Sequence, residues 1–108
     1  MKGTHLGEFE ELVLLTIGVL KDEAYGIAIT LDIKNRTGRS PSIGALHSAL
    51  SRLEKKGFLG SHMEGATSER RGRRKRFYSL TTYGVKALKG IYEMRTEMAR
   101  AIPQLAFT

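Results

Sequence analysis

The sequence has no cysteine, no tryptophan and only two prolines. Without cysteine, neither a disulfide framework nor thiolate chemistry is available. No stretch approaches the roughly 20 apolar residues that a membrane-spanning helix needs. Three glutamates, Glu8, Glu10 and Glu11, precede the first short apolar run, so the N-terminus does not resemble a secretory signal. We therefore expect a cytoplasmic protein with no membrane partner.

Patterns typical of catalysis and of metal binding are missing as well. Ser48 and Ser51 flank no nucleophile elbow, no carboxylate pair sits in an apolar setting, and no glycine-rich loop joins a strand to a helix. His5, His47 and His62 lack the spacing of metal ligands. We expect no enzymatic activity, no metal and no cofactor.

Positive charge is abundant and concentrated in two segments. The net charge of the 108 residues is +7. Residues 33–60 and residues 66–80 each carry six cations and one glutamate, whereas residues 1–32 have a net charge of −4. Six of the seven residues 70–76 are cationic, and aromatic residues follow directly. Such a density favours a polyanionic partner, of which nucleic acid is the obvious one.

Apolar periodicity, capping residues and strand alternation predict six elements. In chain order they are helix 6–20, helix 25–37, helix 42–56 with Ser42 as its N-cap, strand 59–64, strand 74–80, and a last helix from Thr81 to about Ile102. The basic segment would then lie at the tip of a β-hairpin. The fold class is mostly α with a small β-hairpin.

The second and third helices carry further predictions. In the second, Ile27 and Leu31 add another apolar stripe, which predicts a helix packed on two sides. In the third, four apolar residues are assigned to the inner face: Ile43, Leu46, Leu50 and Leu53.

The outer face of the third helix is unusual because it begins with small and hydrogen-bonding residues and becomes cationic further along. Small residues let a helix approach a groove closely, and serine and histidine can hydrogen-bond to bases or phosphates. The predicted DNA contacts of this helix are Ser42, Gly44, Ala45, His47, Ser48 and Arg52. Those of the hairpin are Arg71, Arg73, Arg74, Lys75 and Arg76.

The last helix carries apolar residues at alternating spacings of three and four, interrupted once by an arginine. We call these residues the seam: Leu88, Ile91, Arg95, Met98 and Ile102. Such a pattern is typical of a helix that packs against a partner helix, and Arg95 is expected to pair across the seam or to reach its edge.

Three helices followed by a hairpin form a winged helix-turn-helix. Several short motifs occur in this order: Tyr25-Gly26, Arg36-Thr37-Gly38, Ile43-Gly44-Ala45-Leu46, Ala49-Leu50, Arg52-Leu53-Glu54, Gly57-Phe58-Leu59, and residues 72–81 with Gly84. On these residues the chain resembles the PadR family of bacterial transcriptional regulators, and specifically its short subclass with a single C-terminal helix.

The resemblance implies a homodimer joined through the C-terminal and first helices, which adds Phe9 and Val13 to the expected interface. It implies double-stranded DNA with an inverted-repeat operator as the partner, and usually repression. Residues 1–80 would form the DNA-binding domain and residues 81–108 the dimerisation helix. His47 stands where the family most often has tyrosine. The family's drug-binding members use interface tryptophans, so a small-molecule effector is not supported by this sequence.

Two alternatives remain open at this point. An RNA-binding winged helix would share the basic tip but would favour exposed aromatic residues that stack on unpaired bases. A winged helix used for protein assembly would not need six cations on its hairpin. Sequence-selective binding of duplex DNA distinguishes the first interpretation from both.

Overall fold

The computed structural model of the chain describes residues 5–65 and 74–105. The elements are α1 (Glu8–Leu20), α2 (Gly26–Thr37), α3 (Ile43–Lys55), β1 (Leu59–Glu64), β2 (Lys75–Leu80) and α4 (Thr82–Ala101), with a short 3-10 turn at Lys21–Glu23. Each predicted element is present, and its bounds agree to within two residues. The chain is mostly helical and has the winged helix-turn-helix arrangement predicted from the sequence.

The core lies between α1, α2 and α3, each of which contributes one apolar face. Its largest fully buried side chains are Val13, Leu14, Ile17, Ile29, Ile33, Leu46, Leu50, Leu53 and Phe58. Val13 was predicted at a dimer interface, but it is completely buried and has no surface to offer a partner. That prediction is wrong because the buried face of α1 is centred on Val13 and Ile17.

Two other predictions about apolar faces are wrong. Ile27 and Leu31 are 65% and 54% exposed, so α2 packs on one side only. Ile43 is 61% exposed and does not belong to the inner face of α3. Helical side chains tilt toward the N-terminus, so a residue at the first helical position projects past the packed part of the helix. The core ends at Leu46, one turn later.

The hairpin formed by β1 and β2, which we call the wing, is held to the helices through β2. The two strands pair antiparallel from Leu59 opposite Leu80 to Glu64 opposite Lys75. On its other edge, β2 forms a bridge between Phe77 and Tyr25, and the Tyr78 N–H donates to the Ala24 carbonyl at 2.9 Å. Both edges of β2 are therefore paired. The tip, with Arg71 and Arg73, lies outside the described residues.

The start of α4 is fixed to the turn that precedes β1. Thr81 caps α4: its Oγ1 accepts from the Gly84 N–H at 3.0 Å and donates to the Gly57 carbonyl at 2.7 Å. The Thr81 N–H donates to the Phe58 carbonyl at 3.1 Å, and the Phe58 ring stacks on Tyr83 with centroids 4.9 Å apart. These contacts set the direction in which α4 leaves the body of the protein.

Beyond this junction, α4 extends away from the helical core. The radius of gyration is 16.0 Å, whereas a compact domain of this length would have roughly 13 Å. Within the described part of the chain, Gly84 is the single buried residue of α4. Most side chains of α4 are thus exposed within residues 5–65 and 74–105. No helix in this described part of the chain is both long and apolar enough to cross a bilayer.

Replacement of Gly84 by alanine tests the junction. A Cβ at this position would overlap the carbonyl oxygen of Phe58, a backbone atom that cannot move away cheaply. We expect Gly84→Ala to lower the free energy of unfolding by about 1–3 kcal/mol, the usual range for overpacking. Urea unfolding followed by circular dichroism at one protein concentration measures the change.

Gly26→Ala is the matched control, because a Cβ on Gly26 meets no described part of the chain within 4 Å. This substitution should leave the free energy of unfolding unchanged or raise it slightly, since alanine has a higher helix propensity than glycine. Equal stabilities for the two variants would mean that α4 does not approach Phe58 as described.

Candidate nucleic-acid interface

The third helix begins at a capped N-terminus that points to solvent. The Ser42 Oγ accepts a hydrogen bond from the Ala45 N–H at 3.0 Å. The cap therefore uses one acceptor position of the Ser42 hydroxyl, and Ser42 was predicted to contact DNA. The hydroxyl hydrogen of Ser42 remains available to donate, as a serine hydroxyl carries one donor and two acceptor positions.

Beyond the cap, α3 presents an exposed ridge, which we define as Gly44, Ala45, His47 and Ser48. All four were predicted to contact DNA, and the fold brings them together on the solvent side of the helix. A Cβ on Gly44 would meet no heavy atom of residues 5–65 and 74–105 within 4 Å, so the described structure leaves the space in front of the ridge open. The ridge carries no fixed charge and only small or hydrogen-bonding side chains. It could enter a groove without steric obstruction.

Further along α3, toward its C-terminal end, a buried carboxylate ties the helix to α1. Arg52 Nε lies 2.6 Å from Glu10 Oε2, and Lys56 Nζ lies 3.1 Å from Glu10 Oε1. The Gly7 N–H also donates to Glu10 Oε1, at 3.0 Å. Arg52 was predicted to contact DNA, but its Nε is engaged with Glu10 while about half of its side chain stays exposed. Arg52 therefore helps to position α3.

These partners change the acidity of Glu10. Burial alone would raise the pKa of this carboxyl, because it disfavours the charged form. The hydrogen bonds from Gly7, Arg52 and Lys56 and the charge of Lys56 outweigh burial and lower the pKa of Glu10 to about 2. The side chain is thus a carboxylate at neutral pH.

Sequence reasoning missed the role of Glu10, although a signal was present. Glu10 precedes Val13, Leu14 and Ile17 by three, four and seven residues, which places a carboxylate on the buried face of α1. A charged residue in register with a core face needs a partner of opposite charge. The sequence does not show which of the many cations supplies it.

A second missed residue, the cation Arg39, lies at the turn between α2 and α3. Arg39 Nη1 is 2.6 Å from Glu8 Oε2, and its guanidinium lies 5.5 Å from the centre of the Phe9 ring. Phe9, predicted at the dimer interface, is half-buried here and lines a shallow groove with Pro41 and Ala45. The sequence signal for Arg39 is its place in the turn Gly38-Arg39-Ser40-Pro41. This turn puts a cation directly before α3, the helix predicted to contact DNA.

At the end of the wing nearest its tip, the described cations differ in what they contact. Arg74, Lys75 and Arg76 are all exposed. Arg76 Nη1 donates to Ser61 Oγ at 3.0 Å, and Ser61 Oγ donates to the carboxylate of Glu54 in α3 at 2.6 Å. The wing is therefore hydrogen-bonded to α3 on the side that carries Arg76.

Lys75 belongs to the other face of the wing. Its Nζ lies 4.2 Å from the centre of the Tyr25 ring, a cation–π contact. Tyr25 packs edge-on against Phe77, with ring centroids 5.3 Å apart. Phe77 in turn stacks with His62, with ring centroids 5.9 Å apart. Lys75 thus has a contact within the chain, whereas Arg71 and Arg73 fall outside the described residues.

The seam on α4 is only partly covered by its own chain. Leu88 and Ile91 are half-buried beside α1, but Met98 and Ile102 are 62% and 43% exposed. Arg95 Nη2 lies 2.8 Å from Glu11 Oε1, so Arg95 pairs with α1 of the same chain. This contact lies within one chain, so pairing of Arg95 across the seam and its reach to the edge of the seam both stay predictions. Within residues 5–65 and 74–105, no cluster of three or more histidine, aspartate or glutamate side chains could hold a metal ion.

Comparisons with known proteins agree with this geometry. The sequence model of the transcriptional regulator PadR-like family matches residues 14–90. A PadR family transcription regulator from Clostridium difficile is 23% identical, with a TM-score of 0.73 over 89% of this chain and 96% of that one. A PadR-like transcription factor from Bacteroides fragilis is 20% identical, with a TM-score of 0.75 over 89% and 87%.

A transcriptional regulator from Clostridium thermocellum is 26% identical, with a TM-score of 0.67 over 88% of this chain and 89% of that one. None of the curated proteins matches the chain.

The pKa of Glu10 predicts how stability depends on pH. A carboxyl whose pKa is lowered by folding stabilises the native state above its unfolded pKa, and this contribution is lost as the pH falls through the folded value. With a folded pKa of about 2, the loss should occur between roughly pH 4.5 and pH 2 and amount to on the order of 3 kcal/mol. Glu10→Gln should remove this contribution at pH 7 and flatten the acid limb of the stability curve.

Glu8→Gln is the control, because Glu8 forms a largely exposed pair with Arg39. Pairs of this kind contribute at most about 1 kcal/mol. Urea unfolding at several pH values and a fixed protein concentration measures both variants. If Glu10→Gln matches Glu8→Gln in stability and in pH dependence, the buried cluster does not stabilise the fold.

Proposed function

The chain belongs to the PadR-like family of transcriptional regulators, and from this premise we propose that it is a dimeric repressor that reads a dyad operator with α3. Its family is one of regulators and not of enzymes. The proposal includes a cytoplasmic location. The observation that carries it is the exposed ridge of α3.

The ridge has the shape and chemistry that a major-groove contact requires. Gly44 and Ala45 allow the helix backbone to approach the base edges, and His47 and Ser48 supply hydrogen-bonding groups one turn further along. The N-terminal residues of a recognition helix are the ones that usually contact bases. The pairing of Arg52 and Lys56 with Glu10 supports the proposal, because it holds α3 firmly while the ridge stays open.

The wing would contact the DNA backbone. Arg74 and Arg76 are exposed at the end of the wing nearest its tip, and the sequence adds Arg71 and Arg73 directly before them. Contacts of this kind strengthen binding to every sequence about equally and make it sensitive to salt. Lys75 contributes less in this proposal, since its ammonium already lies on the Tyr25 ring.

The second part of the proposal is a homodimer through residues 81–108, with residues 1–80 as the DNA-binding domain. Met98 and Ile102 would otherwise leave an apolar stripe in water on a helix that projects from a small protein. A two-fold dimer presents two copies of α3, which suits an inverted-repeat operator. The exposed tyrosines Tyr83 and Tyr92 lie on α4. They therefore give no support to the alternative of RNA binding, which would favour aromatic residues that stack on bases at the wing or at α3.

Gly44→Glu tests the role of α3. Because the space around Gly44 is open, the substitution should leave the thermal midpoint nearly unchanged. A carboxylate on the ridge would meet phosphates and block the groove, so we expect operator binding to fall by at least about 100-fold, the weight of a few lost contacts. Gly44→Ala, which adds only a methyl group, is the control and should retain sequence-selective binding.

Footprinting on a selected operator provides the measurement. Two copies of α3 must lie about 34–36 Å apart to enter successive major grooves, so protection should cover an inverted repeat with half-sites about one turn apart. An unchanged footprint with Gly44→Glu, or protection without dyad symmetry, would show that α3 is not the reading helix.

The combination Met98→Glu and Ile102→Glu tests the dimer. Both side chains are exposed within the chain, so the fold of one protomer should survive while charge repulsion and desolvation oppose association. We expect a monomer in sedimentation equilibrium where the wild type is a dimer. Leu31→Glu, an exposed aliphatic residue on α2, is the control and should remain dimeric. A double variant that still forms the dimer would exclude this face of α4 as the interface.

A further inference from the structure

Ile43 is an apolar residue at an exposed position, and packing within the described residues gives no reason for an apolar side chain there. It is the first residue of α3, directly before the ridge at Gly44. Its side chain is 61% exposed, although the apolar pattern of α3 assigned it to the core. Single exposed aliphatic residues are common on protein surfaces, so exposure alone decides nothing. The place where this one is exposed, at the start of the proposed reading helix, carries the argument.

The neighbours of Ile43 provide few groups for hydrogen-bond readout. One acceptor position of Ser42 is used in the cap, and Gly44 and Ala45 have no hydrogen-bonding side chain. His47 and Ser48 are the first ridge residues that can pair with polar base edges. The leading turn of α3 is therefore mostly apolar on its exposed side.

Among the base edges in the major groove, the 5-methyl group of thymine is the one apolar feature. A β-branched side chain in a helix has one strongly preferred χ1 rotamer, so the two Cγ atoms of Ile43 are held in a fixed direction. A stiff apolar side chain at the leading end of a reading helix therefore matches a thymine methyl in chemistry and in position.

We propose that Ile43 is a specificity-determining residue that recognises the 5-methyl group of one thymine in each half-site of the operator. This inference rests on the proposed function, since it requires α3 to lie in the major groove. The selected half-site then contains a thymine that faces the start of α3. The recognition is apolar and does not depend on the wing.

The experiment uses the full chain and a duplex selected by the wild-type protein from a random-sequence library. Each thymine of that duplex is replaced in turn by deoxyuridine, which differs only in lacking the methyl group. Fluorescence anisotropy at fixed salt gives the dissociation constant for the wild type, for Ile43→Ala and for Leu31→Ala. Leu31 is the matched control, an aliphatic residue that is 54% exposed on α2.

At one position in each half-site, we expect the loss of the methyl group to weaken wild-type binding about four-fold, the effect of burying one carbon. Ile43→Ala should weaken binding to the thymine duplex by a similar factor and should be indifferent to deoxyuridine at that position. Leu31→Ala should respond to the substitution as the wild type does.

The outcomes separate the inference from the function on which it rests. If no sequence is enriched in the selection, the proposed function fails. If a duplex is enriched and bound, but no thymine shows a methyl effect that Ile43→Ala abolishes, the inference is overturned and the function stands. A methyl effect that Leu31→Ala abolishes equally would also overturn it.

Discussion

The carboxylate of Glu10 holds α1 and α3 together. It is removed from water on the buried face of α1 and remains an anion because Gly7, Arg52 and Lys56 surround it. Moving α3 away would remove both cationic partners of this buried carboxylate, which is far more costly than losing an exposed pair. The spacing between α1 and α3 is therefore fixed by charge as well as by apolar packing.

The neighbouring residue extends this constraint to the last helix. Glu11 pairs with Arg95 on α4, while Glu10 pairs with α3, so two consecutive side chains connect α1 to the ridge-bearing helix and to the seam-bearing helix. The junction of Thr81 with Gly57 fixes α4 a second time, at its start. The ridge and the seam thus belong to one continuous framework.

The sequence predicted the elements well because each has a local signal: Ser42 and Thr81 cap the helices that follow them. The sequence predicted burial wrongly where the burial of a residue depends on how far the neighbouring elements extend. Periodicity identified Ile27 and Ile43 as apolar without showing that no other element covers them. The contact between Glu10 and Arg52 joins residues 42 positions apart, and local patterns do not reveal such a pair.

The ion pairs also alter what the charge distribution means. Among the six described cations of residues 33–60, Arg36, Arg39, Arg52 and Lys56 pair with carboxylates of Asp32, Glu8 and Glu10. The acidic N-terminal segment and the basic middle segment therefore largely neutralise each other within one chain. Few counterions would be displaced from a duplex by the body of the protein, and the arginines of residues 70–76 would account for most of those released.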